Sequence, residues 1–291
     1  MAVGTYALCT LAELKGHLGI TTSTDDAIME AYIDEATARI EAWIGRRIVS
    51  RSYAEWYGGN NVRAIALRQY PIGYISGAYT GFASAMTIRS TVVSDLRLTV
   101  SVNPEAVSVE GSVVPSIAIV RTDASGTITT ASLNYTTYSF VSSMVAAINA
   151  LPGIAATTVT DMRCALLHPR AGANVKEGTV TLSAANVGSE YIYDSRTGVV
   201  TIQRDSFPAG SDARFPTPPL STLVEYTAGY TTVPAAIRSA CKIIASSAFL
   251  SRKADISFTS ESLGDYSYTR ASGDTAHGIM QEMLGNWREI R

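Results

Sequence analysis

Charge is scarce in this chain. Only 16% of its 291 residues are Asp, Glu, Lys or Arg, against about a quarter in an ordinary soluble domain, and 25 acids against 23 bases leave a net charge of −2. Without a basic excess, phosphate neutralisation cannot drive tight nucleic-acid binding, so DNA nearby is not expected to be gripped. Cysteine is also scarce. Cys9, Cys164 and Cys241 are an odd number with no CxxC pair, which indicates neither a disulfide framework nor a zinc-thiolate site and fits a reducing cytoplasm. No run approaches the 18 or so uninterrupted apolar residues of a membrane span, and the opening MAVGTYALCTLAELKG has neither the basic n-region nor the long h-region of a signal peptide. The expectation is a protein made and kept inside a cell, or inside a particle assembled there, with no membrane partner. Catalytic spacings are missing as well: there is no GxSxG, HExxH, GxxxxGK[ST], GxGxxG or EF-hand loop. His17, His168 and His277 lie far apart, none with a second ligand at metal spacing. No metal, no cofactor and no enzymatic activity are expected.

The material for a core is present. Apolar residues make up 46% of the chain, and a chain of this length buries about three quarters of its unfolded surface and ordinarily forms two domains, or one large one. Tyr dominates the aromatics, with 15 against 6 Phe and 3 Trp, and it tolerates a half-wet interface. A weakly charged, Tyr-rich surface suits a subunit packed against copies of itself; it equally suits a Ser/Thr-rich β protein.

Along the chain the hydrophobic period changes twice. Thr10-Leu-Ala-Glu13 is a capping box opening a short helix through about Leu18, ended by Gly19. Thr22, Ser23 and Thr24 offer caps for a longer helix over 25–45. Its Ile28, Tyr32, Ile33, Ala36, Ile40, Trp43 and Ile44 form one apolar face, and its length is about 32 Å. Ser52–Tyr57, the turn Gly58-Gly59-Asn60-Asn61 and Val62–Leu67 read as a β-hairpin. From about Met86 to Phe215 the chain is almost entirely strand-like: 87–89, 96–102, 116–121, 127–131, 157–167, 179–183 and 199–204 are short strands, interrupted by a helix over 139–151. A strand at 223–226 returns the chain to helices over 234–252 and 274–290. The fold class is α+β. The economical arrangement is a discontinuous helical bundle, residues 1–85 plus 216–291, carrying an inserted β-rich α+β domain, residues 86–215, because lone N-terminal helices have too little core.

Three groups of polar or aromatic residues are candidates for function. The long helix carries Asp25, Asp26, Glu30, Asp34, Glu35 and Glu41, followed by Arg46, Arg47 and Arg51. Helix dipoles favour that order, and neighbouring copies in a ring can set acid against base across it. The insertion holds Glu105, Glu110, Asp123, Asp161, Glu177, Glu190, Asp194 and Asp205, scattered through turns where paired-acid chemistry needs them clustered. It also holds Tyr135, Tyr138, Tyr191 and Tyr193, which form either an exposed binding patch or ordinary strand packing. The segment Ser260–Thr269 alternates polar residues with Leu263, Tyr266 and Tyr268; it reads either as an arm that orders on a partner or as a surface loop. The candidate partner-binding residues are Leu263, Tyr266 and Tyr268 of this arm, with Trp287 and Arg288 in the last helix.

The segments TLAELKGHLGI, DDAIMEAYIDEATARIEAWIGRR, VEYTAGYTTVPAAIRSACKIIASSAFLSRK and SESLGDYSYT, in this order, resemble the head-tail connector (adaptor) proteins of tailed bacteriophages. The resemblance covers about 1–75 and 222–291 and leaves the middle unmatched. It implies a virion protein, made in the host bacterial cytoplasm, whose helical bundle assembles as a homo-oligomeric ring of usually twelve copies below the portal protein. It also implies a tail-side neck, stopper or tail-terminator partner, and DNA passing through the lumen without sequence-specific binding. On this reading the arm and helix over 257–291 dock on the portal or a neighbouring subunit. The alternative is a neck or tail binding module whose inserted domain recognises a partner or host surface, or, further off, a wall-degrading enzyme.

Overall fold

The computed structural model describes residues 4–103, 114–176, 178–185, 187–188, 191–202, 214–217, 220–252, 260–263, 266–269 and 275–287. Helix and sheet are mixed along the chain. The elements are α1 (Leu11–Leu18), α2 (Asp26–Ile44), β1 (Arg51–Tyr57), β2 (Ala64–Ala66), β3 (Ile72–Thr80), β4 (Ala83–Ser90), β5 (Arg97–Asn103), β6 (Ser116–Thr122) and β7 (Ile128–Asn134). They continue with α3 (Val141–Asn149), β8 (Ile154–Thr158), β9 (Arg170–Asn174), β10 (Val180–Ala184), β11 (Val187–Gly188), β12 (Tyr191–Asp194), β13 (Val199–Ile202) and β14 (Thr222–Ala228). After these come α4 (Ala235–Ser251), β15 (Ser260–Leu263), β16 (Tyr266–Thr269) and α5 (Thr275–Leu284), the last followed by a short 3-10 turn, Gly285–Trp287.

Two compact units divide the chain: Met1–Arg51, Arg68–Tyr70 and Gly229–Arg291 form one, Ser52–Leu67 and Pro71–Ala228 the other. The divisions fall at 51 and 229, not at the expected 85 and 216. Sheet pairing explains the difference. β3 pairs antiparallel with β14 from Ile72↔Ala228 to Tyr79↔Leu223, and β4 lies between β8 and β10, so residues 52–67, 71–85 and 216–228 belong to the β-rich unit.

Local signals build the helical unit. The Thr10 side chain accepts the Glu13 N–H while the Glu13 carboxylate accepts the Thr10 N–H at 2.8 Å, the reciprocal bonds of a capping box. α1 and α2 end at Gly19 (φ 69°) and Gly45 (φ 84°), in the left-handed region that a side chain resists. α2 begins one residue later than expected and Asp25, not Thr22, Ser23 or Thr24, is its N-cap residue. Ile33, Ala36, Ile40 and Ile44 recur at helical spacing and share one core with Leu14, with Ile237, Cys241 and Ile244 of α4, and with Met280 and Leu284 of α5. Each buried Leu or Ile contributes roughly 1.5–3 kcal/mol of transfer free energy. Ile28, expected on the same face, is 43% exposed.

In the other unit the sheets have the orders β1-β14-β3-β11, β10-β4-β8, β12-β13-β2 and β7-β6-β5-β9. The expected hairpin over 52–67 does not form. Asn60 (φ 44°) and Asn61 (φ 58°) do turn the chain, yet β1 pairs in the sheet with β14 and β2 pairs with β13. The strand expected over 157–167 stops at Thr158 and is followed by a 3-10 turn at Cys164–Leu166. One core gathers α3 and the inner faces of β4, β5, β6 and β8 around Trp56, Met86, Val100 and Met144; a second gathers Ile65, Val200, Phe215 and Tyr226.

Candidate assembly surface

The acids of α2 find their partners within the same unit. Asp25 pairs with Arg252 at 2.7 Å, Asp26 with Lys15 at 2.7 Å and Glu35 with Arg39 at 3.0 Å, while Asp34 accepts the Gly4 N–H at 3.0 Å. Glu41, one of the acids read as available to a neighbouring copy, is buried. Its carboxylate takes Arg47 Nη1 at 2.5 Å, Arg51 Nη2 at 3.2 Å and the Ile48 N–H at 3.0 Å. Arg46, also buried, donates to the Tyr70 carbonyl and lies 4.1 Å from the Tyr70 ring centroid; Arg51 lies 3.8 Å from that of Tyr6. A guanidinium spread over a ring keeps its charge while leaving water, which is how Arg46 and Arg51 fit here, while Arg47 keeps part of its surface in solvent. Acid and base thus meet along the chain's own fold, where the sequence suggested neighbouring copies.

The candidate partner residues separate into two places. β15 and β16 pair with each other, Leu263 opposite Tyr266 and Glu261 opposite Tyr268, so the arm is a hairpin. Trp287 packs edge-on against Tyr230, ring centroids 5.8 Å apart at 72°, and is half-buried on the helical core. Arg288 lies outside the described residues. α5, expected to dock outward with the arm, places Met280 and Leu284 in the core of its own unit because its apolar face matches those of α2 and α4.

The remaining candidates resolve into structure. Asp123 accepts from Ser125 N, Ser125 Oγ and Thr127 N, and Asp194 accepts from Arg196 N and Thr197 Oγ1; these bonds hold both carboxyls below the ordinary range. Asp161 caps α3 through Ser142 N and Oγ, both at 2.9 Å. Glu105, Glu110, Glu177, Glu190 and Asp205 lie outside the described residues. Tyr135 is buried, Tyr138 packs on the same core and Tyr191 donates to the Ile75 carbonyl, which leaves Tyr193 alone of the four exposed. His168 stacks between Trp56 and Phe82, centroids 4.9 and 4.4 Å away, its ring nitrogens at the Gly81 and Leu220 carbonyls. Among the described residues no three His, Cys, Asp or Glu side chains group closely enough to hold a metal ion, and no helix is long and apolar enough to cross a membrane.

One contact had no sequence signal. The Cys9 and Cys241 sulfurs, 232 positions apart, are 3.4 Å from each other in the helical core. The hydrogen bond from Cys9 holds the Cys241 thiol below its ordinary value; the same bond, with burial, pushes Cys9 up.

Comparison with known proteins bears on the helical unit first. Residues 9–77, from the bend before α1 into β3, match the phage gp6-like head-tail connector protein family. The first two of the resembling segments fall inside that match and the two C-terminal ones beyond it. No curated protein sequence matches the chain. Among solved structures it is similar to a chain in the neck of an empty GTA particle with C6 symmetry, at 14% identity and a TM-score of 0.43, covering 100% of this chain and 94% of that one.

Proposed function

We propose that this chain is a structural protein of a tailed-phage neck, a head-tail connector located in the virion between the DNA-filled head and the tail. The observation that carries the reading is the connector-family match over residues 9–77, which takes in α1, α2 and the buried Glu41–Arg47–Arg51 cluster. In this reading the N- and C-terminal helices are a discontinuous bundle, the β-rich unit is an insertion, and copies of the chain, twelve in the family's usual form, close a ring below the portal. The tail-side surface meets a stopper or tail-terminator protein. A net charge of −2, with helix cations already occupied by acids of the same unit, suits a lumen that lets DNA slide and does not hold its phosphates. The role is architectural and requires no catalytic residue.

The hairpin β15–β16, with Leu263, Tyr266 and Tyr268, is the proposed contact to portal or neighbour, with Trp287 and Arg288 following α5 as further candidates. Removing 257–291 whole is a poor test, since Met280 and Leu284 leave the core with it. Purified full-length chain mixed with portal rings and imaged by electron microscopy is expected to add a coaxial ring of copies. A portal that stays bare refutes the connector reading. Replacing Leu263, Tyr266 and Tyr268 together by Ser is expected to keep the circular dichroism of the folded chain and abolish attachment; undiminished attachment refutes the hairpin's role.

A second reading, a neck or tail module that recognises a partner through its β-rich unit, draws on the exposed Leu96 and Ile128. Both lie beside Thr122 at one end of the β7-β6-β5-β9 sheet.

A further inference from the structure

Of the three cysteines, two share a core. Cys9 lies in the bend ahead of α1 and Cys241 in the body of α4, with the sulfurs 3.4 Å apart. Thr37 of α2 stands behind them, its hydroxyl 4.0 Å from the Cys241 sulfur while it accepts the Leu8 N–H at 3.1 Å. This places the segment ahead of α1, α2 and α4 around a single pair of thiols. Cys164 is buried in the core of the other unit, where no second cysteine is found.

We propose that Cys9 and Cys241 are a redox pair that closes to a disulfide when the protein meets peroxide, fastening the segment ahead of α1 to α4. A disulfide holds its sulfurs about 2.05 Å apart, so the pair must approach by roughly 1.3 Å. Cys9 is outside regular structure and supplies the movement; α4 stays in place. The hydrogen bond that Cys9 donates favours the thiolate of Cys241, and a thiolate is the reactive form. Cys241 sulfur attacks one peroxide oxygen and the O–O bond breaks, giving a sulfenic acid and a hydroxide that takes up the Cys241 proton and leaves as water. Cys9 sulfur then attacks the Cys241 sulfur, the S–O bond breaks, and the departing hydroxide takes the Cys9 proton as a second water. Two thiols and one peroxide thus become one disulfide and two waters. Cys9 is 4% exposed and Cys241 buried completely, so peroxide reaches the Cys241 sulfur through the same displacement of the Cys9 bend that later closes the pair, and a bulky oxidant is resisted. The inference concerns the isolated chain and stands whether or not rings form.

The test is a thiol count on reduced full-length protein exposed to one equivalent of hydrogen peroxide, then denatured, alkylated and digested. The count is expected to fall from three to one, with Cys164 the survivor and a peptide pair joining positions 9 and 241, lighter than the reduced pair by two hydrogens. In Cys164→Ser, remote from the pair, no thiol is expected to remain. In Cys9→Ala the sulfenic acid on Cys241 loses its resolving partner and is expected to be captured by dimedone. The proposal is overturned if three thiols persist, if Cys164 is consumed as fast as the pair, or if Cys241 proceeds to sulfinic acid while Cys9 stays free. Should Cys9→Ala fail to fold, the Cys164→Ser count and the peptide identity decide alone.

Discussion

Glu41→Gln removes one charge from a site where the structure leaves little room for compensation. The Glu41 side chain is 4% exposed and that of Arg51 6% exposed, so the variant strips a buried guanidinium of its counter-charge. The amide oxygen can still accept the Ile48 N–H and Arg51 Nη2, but the amide NH2 then faces the Arg47 donor. Breaking one side of a buried ion pair costs about 3–5 kcal/mol. Arg47 is 30% exposed and regains water, and the Tyr6 ring still lies against Arg51, so the expected loss is about 2–4 kcal/mol. Urea unfolding followed by tryptophan fluorescence reads it, on a Trp56→Phe background that leaves Trp43 and Trp287, both in the helical unit, as reporters. At a typical slope of about 2 kcal/mol per molar the midpoint is expected to fall by about 1–2 M. Glu35→Gln is the control: it breaks a helix-surface pair whose two side chains are half exposed, worth below about 0.5 kcal/mol. Equal midpoints for the two variants would refute the claim that the buried carboxylate anchors Arg47, Ile48 and Arg51 to the end of α2.

Two glycines of the helical unit are expected to respond in opposite directions. At Gly229 (φ 106°) an added Cβ meets the Ile48 and Val49 carbonyl oxygens at 2.8 Å, so Gly229→Ala is expected to lose more than about 1 kcal/mol in the same urea assay. Gly16 in α1 has open space around it, and Gly16→Ala is expected to gain about 0.5–1 kcal/mol. In the β-rich unit, Asp95 is buried in a bidentate pair with Arg121 (2.7 and 2.9 Å), whose hydrogen bonds hold its carboxyl below the ordinary range. A depressed folded value means stability that is complete above the unfolded value, near pH 4, and lost as pH falls through the folded one. Asp95→Asn is therefore expected to flatten the acid side of the unit's stability profile, measured by circular dichroism; an unchanged acid slope counts against the pair.

The helices were legible in the sequence because their ends are written locally. Thr10 and Glu13 close a capping box within four residues, and Gly19 and Gly45 mark stops that need no tertiary information. Strand pairing was not legible, because alternation identifies a strand without naming its neighbour. Gly58-Gly59-Asn60-Asn61 carries a strong hairpin signal, yet Gly59 serves a close approach to Phe215, a Cβ there falling 2.3 Å from that side chain, and β1 and β2 leave for different sheets. β3 was hidden by its own glycines. Gly77 sits under the Tyr79 ring, where a Cβ would fall 2.5 Å from a ring carbon, so a residue that reads as a breaker makes room for an aromatic. The partner residues show the same division. Trp287 lay on a visible apolar stripe, whereas the meeting of Cys9 and Cys241 depends on how helices pack and has no local mark.

The internal pairing of α2 constrains any ring that copies of this chain build. An acidic helix followed by a basic tail invited an electrostatic interface, in which salt would loosen the ring steeply. The structure assigns Asp25 to Arg252, Asp26 to Lys15 and Glu41 to Arg47 and Arg51. A charge already neutralised at 2.5–3.2 Å has little left to offer a neighbour, and reusing it would require breaking its own bond first. In the proposed ring the contact falls instead to the hairpin β15–β16, whose Leu263, Tyr266 and Tyr268 carry no charge for salt to screen. The Debye length falls from about 10 Å at 0.1 M salt to about 3 Å at 1 M, so exposed ion pairs are silenced over that range while apolar burial is not. Ring mass on the portal, measured by light scattering across that range, is expected to hold steady. A ring that dissolves well before 1 M would show that charges of α2 are exchanged between copies after all, and that the intramolecular pairs open when subunits meet.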